Sequence, residues 1–149
     1  SFAKFFPDGK ALLATLEEKL WATLHSGKTS RQIRTTSSHA PAPLVFDDQY
    51  ISTGGQLYEL LVGHDRFIAD IRPLAFAKLG LASSLVCHPY DLCSALVLTE
   101  AGGLVENPLN GAAVSVPLDT TSAVTWIGYA NPSLAKLARP VLKRLLREL

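Results

Sequence analysis

The chain has 149 residues, 48% hydrophobic and 18% charged, enough to bury one core and too few for two full domains. Fourteen basic against thirteen acidic residues leave a formal charge of +1, which removes the electrostatic case for a dedicated binder of nucleic acid or of an anionic membrane. No apolar stretch approaches the roughly 20 residues that span a bilayer, and Cys87 and Cys93 are too few for a secreted disulfide scaffold; a cytoplasmic protein with reduced thiols is expected, its partners small molecules or proteins.

The opening Ser-Phe-Ala-Lys-Phe-Phe-Pro lacks both an initiator Met and the layout of a secretory signal, and reads as a chain cut from something longer. Asp8 can cap a helix whose apolar stripe is Leu13, Leu16, Leu20 and Leu24, ended by Gly27. Residues 28–43, rich in Ser and Thr, carrying Arg31 and Arg34 and closing on Ala-Pro-Ala-Pro, read as an exposed loop. Residues 44–46 and 50–52 are short extended candidates. Thr53-Gly54-Gly55 reads as a turn into a short helix with Leu57, Leu60 and Leu61, stopped at Gly63.

Residues 66–71 have the β-branched and aromatic content of a strand, with Pro73 at its end. Asp91 stands as the N-cap of a helix that presents Leu92, Ala95, Leu96 and Thr99 on one face, with Gly102-Gly103 as its stop. Residues 104–105 and 124–129 read as buried strands, the second following the polar turn Asp119-Thr120-Thr121. Asn131-Pro132 opens the last helix, which turns Leu134, Leu137, Val141, Leu142, Leu145 and Leu149 inward. An interior proline costs about 3 kcal/mol, so a kink or break is expected just before Pro140. Strands alternating with helices, without an internal repeat, make a single α/β domain: a layered sheet flanked by helices.

The chemistry concentrates in Cys87-His88-Pro89-Tyr90-Asp91-Leu92-Cys93 and the apolar run that ends in Thr99-Glu100-Ala101-Gly102-Gly103. An aromatic residue and a carboxylate stand at the mouth of a helix anchored in the core, where backbone N–H groups favour an ionised oxygen ligand of the kind Mg²⁺ requires. On the residues alone, Asp91 reads first as an N-cap, because caps far outnumber metal sites.

The segment resembles the C-terminal signature of the inositol monophosphatase family, which also takes in fructose-1,6-bisphosphatase-like enzymes: an aromatic-Asp pair, here Tyr90-Asp91, then an apolar helix and Glu-Ala-Gly-Gly. His88 also falls where that family often carries a histidine. The resemblance covers roughly residue 50 to the C-terminus. It implies the C-terminal domain of that fold, Asp91 as a Mg²⁺ ligand and substrate contact, Gly55 and Gln56 at a glycine turn lining the pocket, and Asp70 as a sugar-hydroxyl contact. The implied function is a phosphomonoesterase in which metal-activated water attacks an inositol or sugar phosphate.

The family's Asp-Pro-Ile/Leu-Asp-Gly-Thr motif and upstream glutamate do not occur in this sequence. Pro117-Leu118-Asp119-Thr120-Thr121 mimics part of the motif and reads as a turn. The N-terminal, metal-binding half is therefore expected to be absent from the chain, and the chain alone to be inactive, since one carboxylate cannot assemble a two-metal clamp. The missing half would be a partner, and apolar surface exposed at its edge leaves homo-oligomerisation as a further hypothesis.

Rival readings carry less. Cys87, His88, Asp91 and Cys93 crowd together without the spacing of a zinc knuckle, and both thiols read as buried small hydrophobes. Ser52, Ser83 and Ser94 lack a nucleophile elbow. His39 and His64 read as surface residues and His25 as a helix-end residue. The alternative from another class is a non-catalytic ligand-binding or protein-interaction domain that keeps the phosphatase-like core.

Overall fold

The computed structural model describes residues 52–83 and 85–147. The expected helix from Asp8, the loop 28–43 with Arg31 and Arg34, the extended residues 44–46, and His25, His39 and Leu149 lie outside the described residues.

Helix α1, Thr53–Val62, begins at Ser52, whose extended backbone and side-chain oxygen, accepting from Gly55 N at 3.2 Å, make it the N-cap. Thr53, Gly54 and Gly55 are therefore its first turn, where the sequence suggested a separate glycine turn; the cap holds them helical despite the poor propensity of two glycines. Leu57 and Leu60 are buried, and Gly63 closes the helix with a left-handed φ of 78°.

Strand β1, Phe67–Asp70, follows. Pro73 does not simply end it: it occupies the first turn of helix α2, Arg72–Lys78, where a missing N–H costs nothing, and Ala75 and Phe76 are fully buried.

Pro89–Leu92 form one turn of 3-10 helix, and the α-helix proper, α3, spans Ala95–Glu100. Asp91 is thus the third residue of the 3-10 turn and not the N-cap of α3, a position that Ser94 holds without a side-chain bond. The intervening turn at Cys93-Ser94 resets the helical phase. Leu98 is buried, Leu92 and Ala95 pack against the core, and Leu96 and Thr99 are exposed where the uninterrupted periodicity placed them inward.

Glu100-Ala101-Gly102-Gly103 ends α3 as expected, in a Schellman arrangement. Gly102, at φ 94°, donates to Thr99 O at 3.0 Å, and Gly103 donates to Leu98 O at 2.9 Å. Strand β2, Leu104–Glu106, leaves directly from it.

Strand β3, Trp126–Tyr129, is buried along its whole length and is the centre of a three-stranded antiparallel sheet ordered β1-β3-β2. Ile68, Gly128 and Val105 share one register row and Ala69, Ile127 and Glu106 the next. Alternation then puts Ile68, Asp70, Trp126 and Val105 on one face and Ala69, Ile127, Tyr129 and Glu106 on the other. The first face carries the main core, where Leu57 and Leu60 of α1, Cys87 and Leu98 of α3 surround Trp126.

Helix α4, Pro132–Leu146, packs on β3, and Asn131 caps it by accepting from Leu134 N at 3.0 Å. Its Arg139 reaches Glu106 in a two-pronged ion pair, Nε to Oε2 at 2.9 Å and Nη2 to Oε1 at 2.5 Å. A kink or a break was expected before Pro140; the helix is not broken there and runs on to Leu146. Pro140 is exposed, so the carbonyl it leaves unpaired can bind water, while Ala135, Ala138, Leu142 and Leu145 hold the inner side down. Leu142 and Leu145 face inward as the stripe implied; Leu134, Leu137 and Val141 are half-buried flanks.

The architecture is mixed α/β, a small antiparallel sheet with helices. No described helix is long and apolar enough to cross a membrane.

Candidate functional site

The site is centred on the connection from Val86 to Asp91, which the fold ties down on two sides. Val124 N donates to Cys87 O at 2.8 Å, and His88 Nδ1 lies 2.9 Å from Ser122 O. Because a carbonyl can only accept, that ring nitrogen carries the proton. The His88 ring stacks on Tyr90, with centroids 5.8 Å apart and planes 20° apart.

Asp91 is half-buried, and its Oδ2 accepts from His88 N at 2.8 Å while its own N–H bonds His88 O at 3.0 Å. The carboxylate is therefore part of the clasp that closes its own turn. Asp119, in the neighbouring loop, spends both oxygens on Thr121 N, Ser122 N and Ser122 Oγ, at 2.9, 2.7 and 2.5 Å. The Ser122 hydroxyl foremost, then the backbone N–H groups of Ser122 and Thr121, hold its carboxyl below the usual range. The turn reading of 117–121 stands.

Beneath the turn lies Cys87, 1% exposed. Burial pushes its thiol up to about 11; a hydrogen bond to the Thr53 side chain opposes the shift, while the carboxylates of Asp70 and Asp91 add to it and Arg72 subtracts. Thr53 of α1, Asp70 at the end of β1, Arg72 of α2 and Asp91 of the 3-10 turn are thus the groups that act on this thiol. Its Sγ–H itself donates to His88 O at 3.4 Å.

Asp70 is 4% exposed and bound to Arg72, Oδ1 to Nε at 2.7 Å and Oδ2 to Nη2 at 2.6 Å. Gly55 and Gln56 lie in the first turn of α1, their amides turned onto Ser52 Oγ and Ser52 O at 3.2 and 2.9 Å. Beside that turn, Ser94 Oγ is buried without a hydrogen-bond partner, 3.6 Å from where a Cβ on Gly54 would stand.

Sequence reasoning passed over Arg72, placed Thr53 in a turn, and weighed Ser94 only as a nucleophile without an elbow. Of these only Arg72 left a signal, an arginine two residues beyond an acidic strand end. Cys93 is exposed, at the turn and not in a helix that packs inward, so only Cys87 is a buried thiol. His64 is a surface residue, as expected, and its Nδ1 lies 2.8 Å from Glu59 Oε2.

Among the described residues no group of three or more His, Cys, Asp or Glu side chains is placed to hold a metal ion. Asp91 offers one carboxylate, with one oxygen already engaged, against the near-octahedral oxygen set that Mg²⁺ demands. The described residues do not by themselves fit a Mg²⁺ centre. No model of a known protein family matches the chain, and neither the curated proteins nor the solved structures gave a match to it.

Proposed function

We propose that the chain is the C-terminal portion of a Mg²⁺-dependent phosphomonoesterase of the inositol monophosphatase type, acting on inositol or sugar phosphates. The observation that carries the reading is the run from Tyr90-Asp91 to Glu100-Ala101-Gly102-Gly103, with a half-buried carboxylate fixed by a backbone N–H beside a helix anchored at Leu98. Asp91 contributes one oxygen ligand in this reading, and the rest of the metal site comes from chain beyond residues 52–147. Gly55 and Gln56 would line the substrate side. A small α/β body with helices on a sheet is in keeping with this assignment, though such a body hosts many chemistries.

The second reading, a non-catalytic ligand-binding or interaction domain, is favoured by the local use of Asp91: its Oδ2 already serves the His88 N–H. Asp91→Asn separates the two. The amide keeps an oxygen for His88 N but loses the charge that a hard cation needs. The test is Mg²⁺-dependent phosphate release from inositol monophosphate and fructose 1,6-bisphosphate by the native protein that carries this chain, with Li⁺ as a family-type inhibitor. The phosphatase reading expects release that Asp91→Asn lowers by about 100-fold or more at an unchanged melting temperature. Release that survives the substitution, or none in the parent, leaves the binding-domain reading in its place.

A further inference from the structure

Leu85 has a left-handed backbone, φ 53°, the one such non-glycine residue described, and its side chain is 83% exposed. That conformation costs an L-residue roughly 1–2 kcal/mol, and an exposed side chain regains little of it by burial. A specific contact holds the residue: Arg72 Nη1 donates to Leu85 O. The same guanidinium is oriented from behind by Asp70 through Nε and Nη2, and Asp70 Oδ1 also accepts from Arg72 N at 3.3 Å. A planar guanidinium binds a carboxylate through two nitrogens of one edge and a carbonyl through the third, a spread of donors that the single nitrogen of an ammonium does not offer.

From Leu85 the chain goes straight into the site. Val86 and Cys87 enter the core, and His88 N–H takes the Asp91 carboxylate. We propose that Asp70 and Arg72 are positioning residues: the buried carboxylate orients the guanidinium, the guanidinium pins the Leu85 carbonyl, and the pinned connection sets where Asp91 stands. Asp70 then acts on the site through Arg72 and not by touching a ligand. The consequence for a ligand at Asp91 rests on the phosphatase reading; the pinning itself does not.

Cys87 reports on the pin without any assay of activity. In the full chain carrying Cys93→Ser, Cys87 is the sole remaining thiol, and its labelling by an aromatic disulfide reagent follows local opening of the connection. Arg72→Lys keeps the charge but loses the separate nitrogens that reach Asp70 and Leu85 O at once. It is expected to speed labelling by about tenfold, the release of roughly one left-handed residue's strain. Arg139→Lys, which weakens the ion pair on the other face of the sheet, serves as the control for general loosening and should change the rate by less than about twofold.

Leu85→Gly removes the strain that the pin opposes, so in the Arg72→Lys background it should return labelling towards the parent rate. Equal acceleration by Arg72→Lys and Arg139→Lys, or failure of Leu85→Gly to suppress the effect, overturns the proposal. Should Arg72→Lys not fold, Asp70→Asn with and without Leu85→Gly decides the same question by the same two rates. In the native protein, loss of phosphate release in Arg72→Lys with recovery in the Leu85→Gly double variant extends the pin to function. A parent without phosphate release fails the phosphatase reading alone, and the thiol kinetics still decide the pin.

Discussion

A Cβ built on Gly103 would come 2.4 Å from Leu98 Cδ1, 2.7 Å from Leu98 Cγ and 3.1 Å from Leu98 O. Leu98 is 1% exposed and encircled by the main core, so it cannot swing aside without displacing its neighbours. Gly103→Ala is therefore expected to cost about 1–3 kcal/mol, the range for overpacking a filled core, read as a lower urea midpoint at constant slope. Its neighbour Gly102 has open space around it but sits at φ 94°, so Gly102→Ala should cost only the conformational penalty. Both glycines of the signature thus have a reason in helix termination and close packing, independent of any ligand. Asp91 likewise has a local use, since its Oδ2 accepts from His88 N and closes the 3-10 turn.

At the scale of elements, α4 carries a proline that its own backbone would be better without. Pro140 removes one backbone hydrogen bond from a helix that stays continuous on its buried side. Pro140→Ala restores that bond and relieves the clash, about 3 kcal/mol in a free helix, offset by about 1 kcal/mol of freedom regained by the unfolded chain. A net stabilisation of roughly 1–2 kcal/mol follows from these, measured as a raised urea midpoint; no gain would mean that the helix is already bent to accommodate the ring. Pro140 also shows where the sequence stops being legible. Propensity spoke for a kink or a break, and the buried row Ala135, Ala138, Leu142 and Leu145 keeps the helix from breaking. The caps were readable because they are local, Gly63, Gly102 and Asn131 among them. The phase of α3 was not, because a 3-10 turn and an α-turn look alike as apolar spacing. The sequence singled out Asp70 and Asp91 as residues but not the contacts that hold them. Arg72 and Leu85 meet across 13 positions, and no local pattern announces such a contact.

At the scale of the molecule, two buried weak acids, Cys87 and Tyr129, lie on opposite faces of the sheet and make the fold sensitive to base. Burial foremost raises Cys87 from 9.0 to about 11, with Asp70 and Asp91 adding to it. Burial likewise raises Tyr129 from 10.0 to about 12, with the Glu106 carboxylate adding and Arg139 opposing. In both cases the unfolded state gives up its proton first, so it binds fewer protons than the native state between the two pKa values, and stability falls as pH rises. The contribution is complete below pH 9, declines through the Cys87 window from 9 to about 11, and continues through the Tyr129 window to about 12. Each group accounts for about 2–3 kcal/mol at most. Arg139 is pushed higher still, by its hydrogen bond to Glu106 above all, so that ion pair stays charged throughout and does not add to the slope. Urea unfolding in steps of about half a pH unit from about pH 8 to 11 should show the midpoint steady at first and then falling. Cys87→Ala lowers the plateau through lost packing but should flatten the first part of the fall, leaving the Tyr129 part in place. A slope unchanged by that substitution would place the titrating thiol outside the core and remove the reporter on which the connection to Asp91 is read.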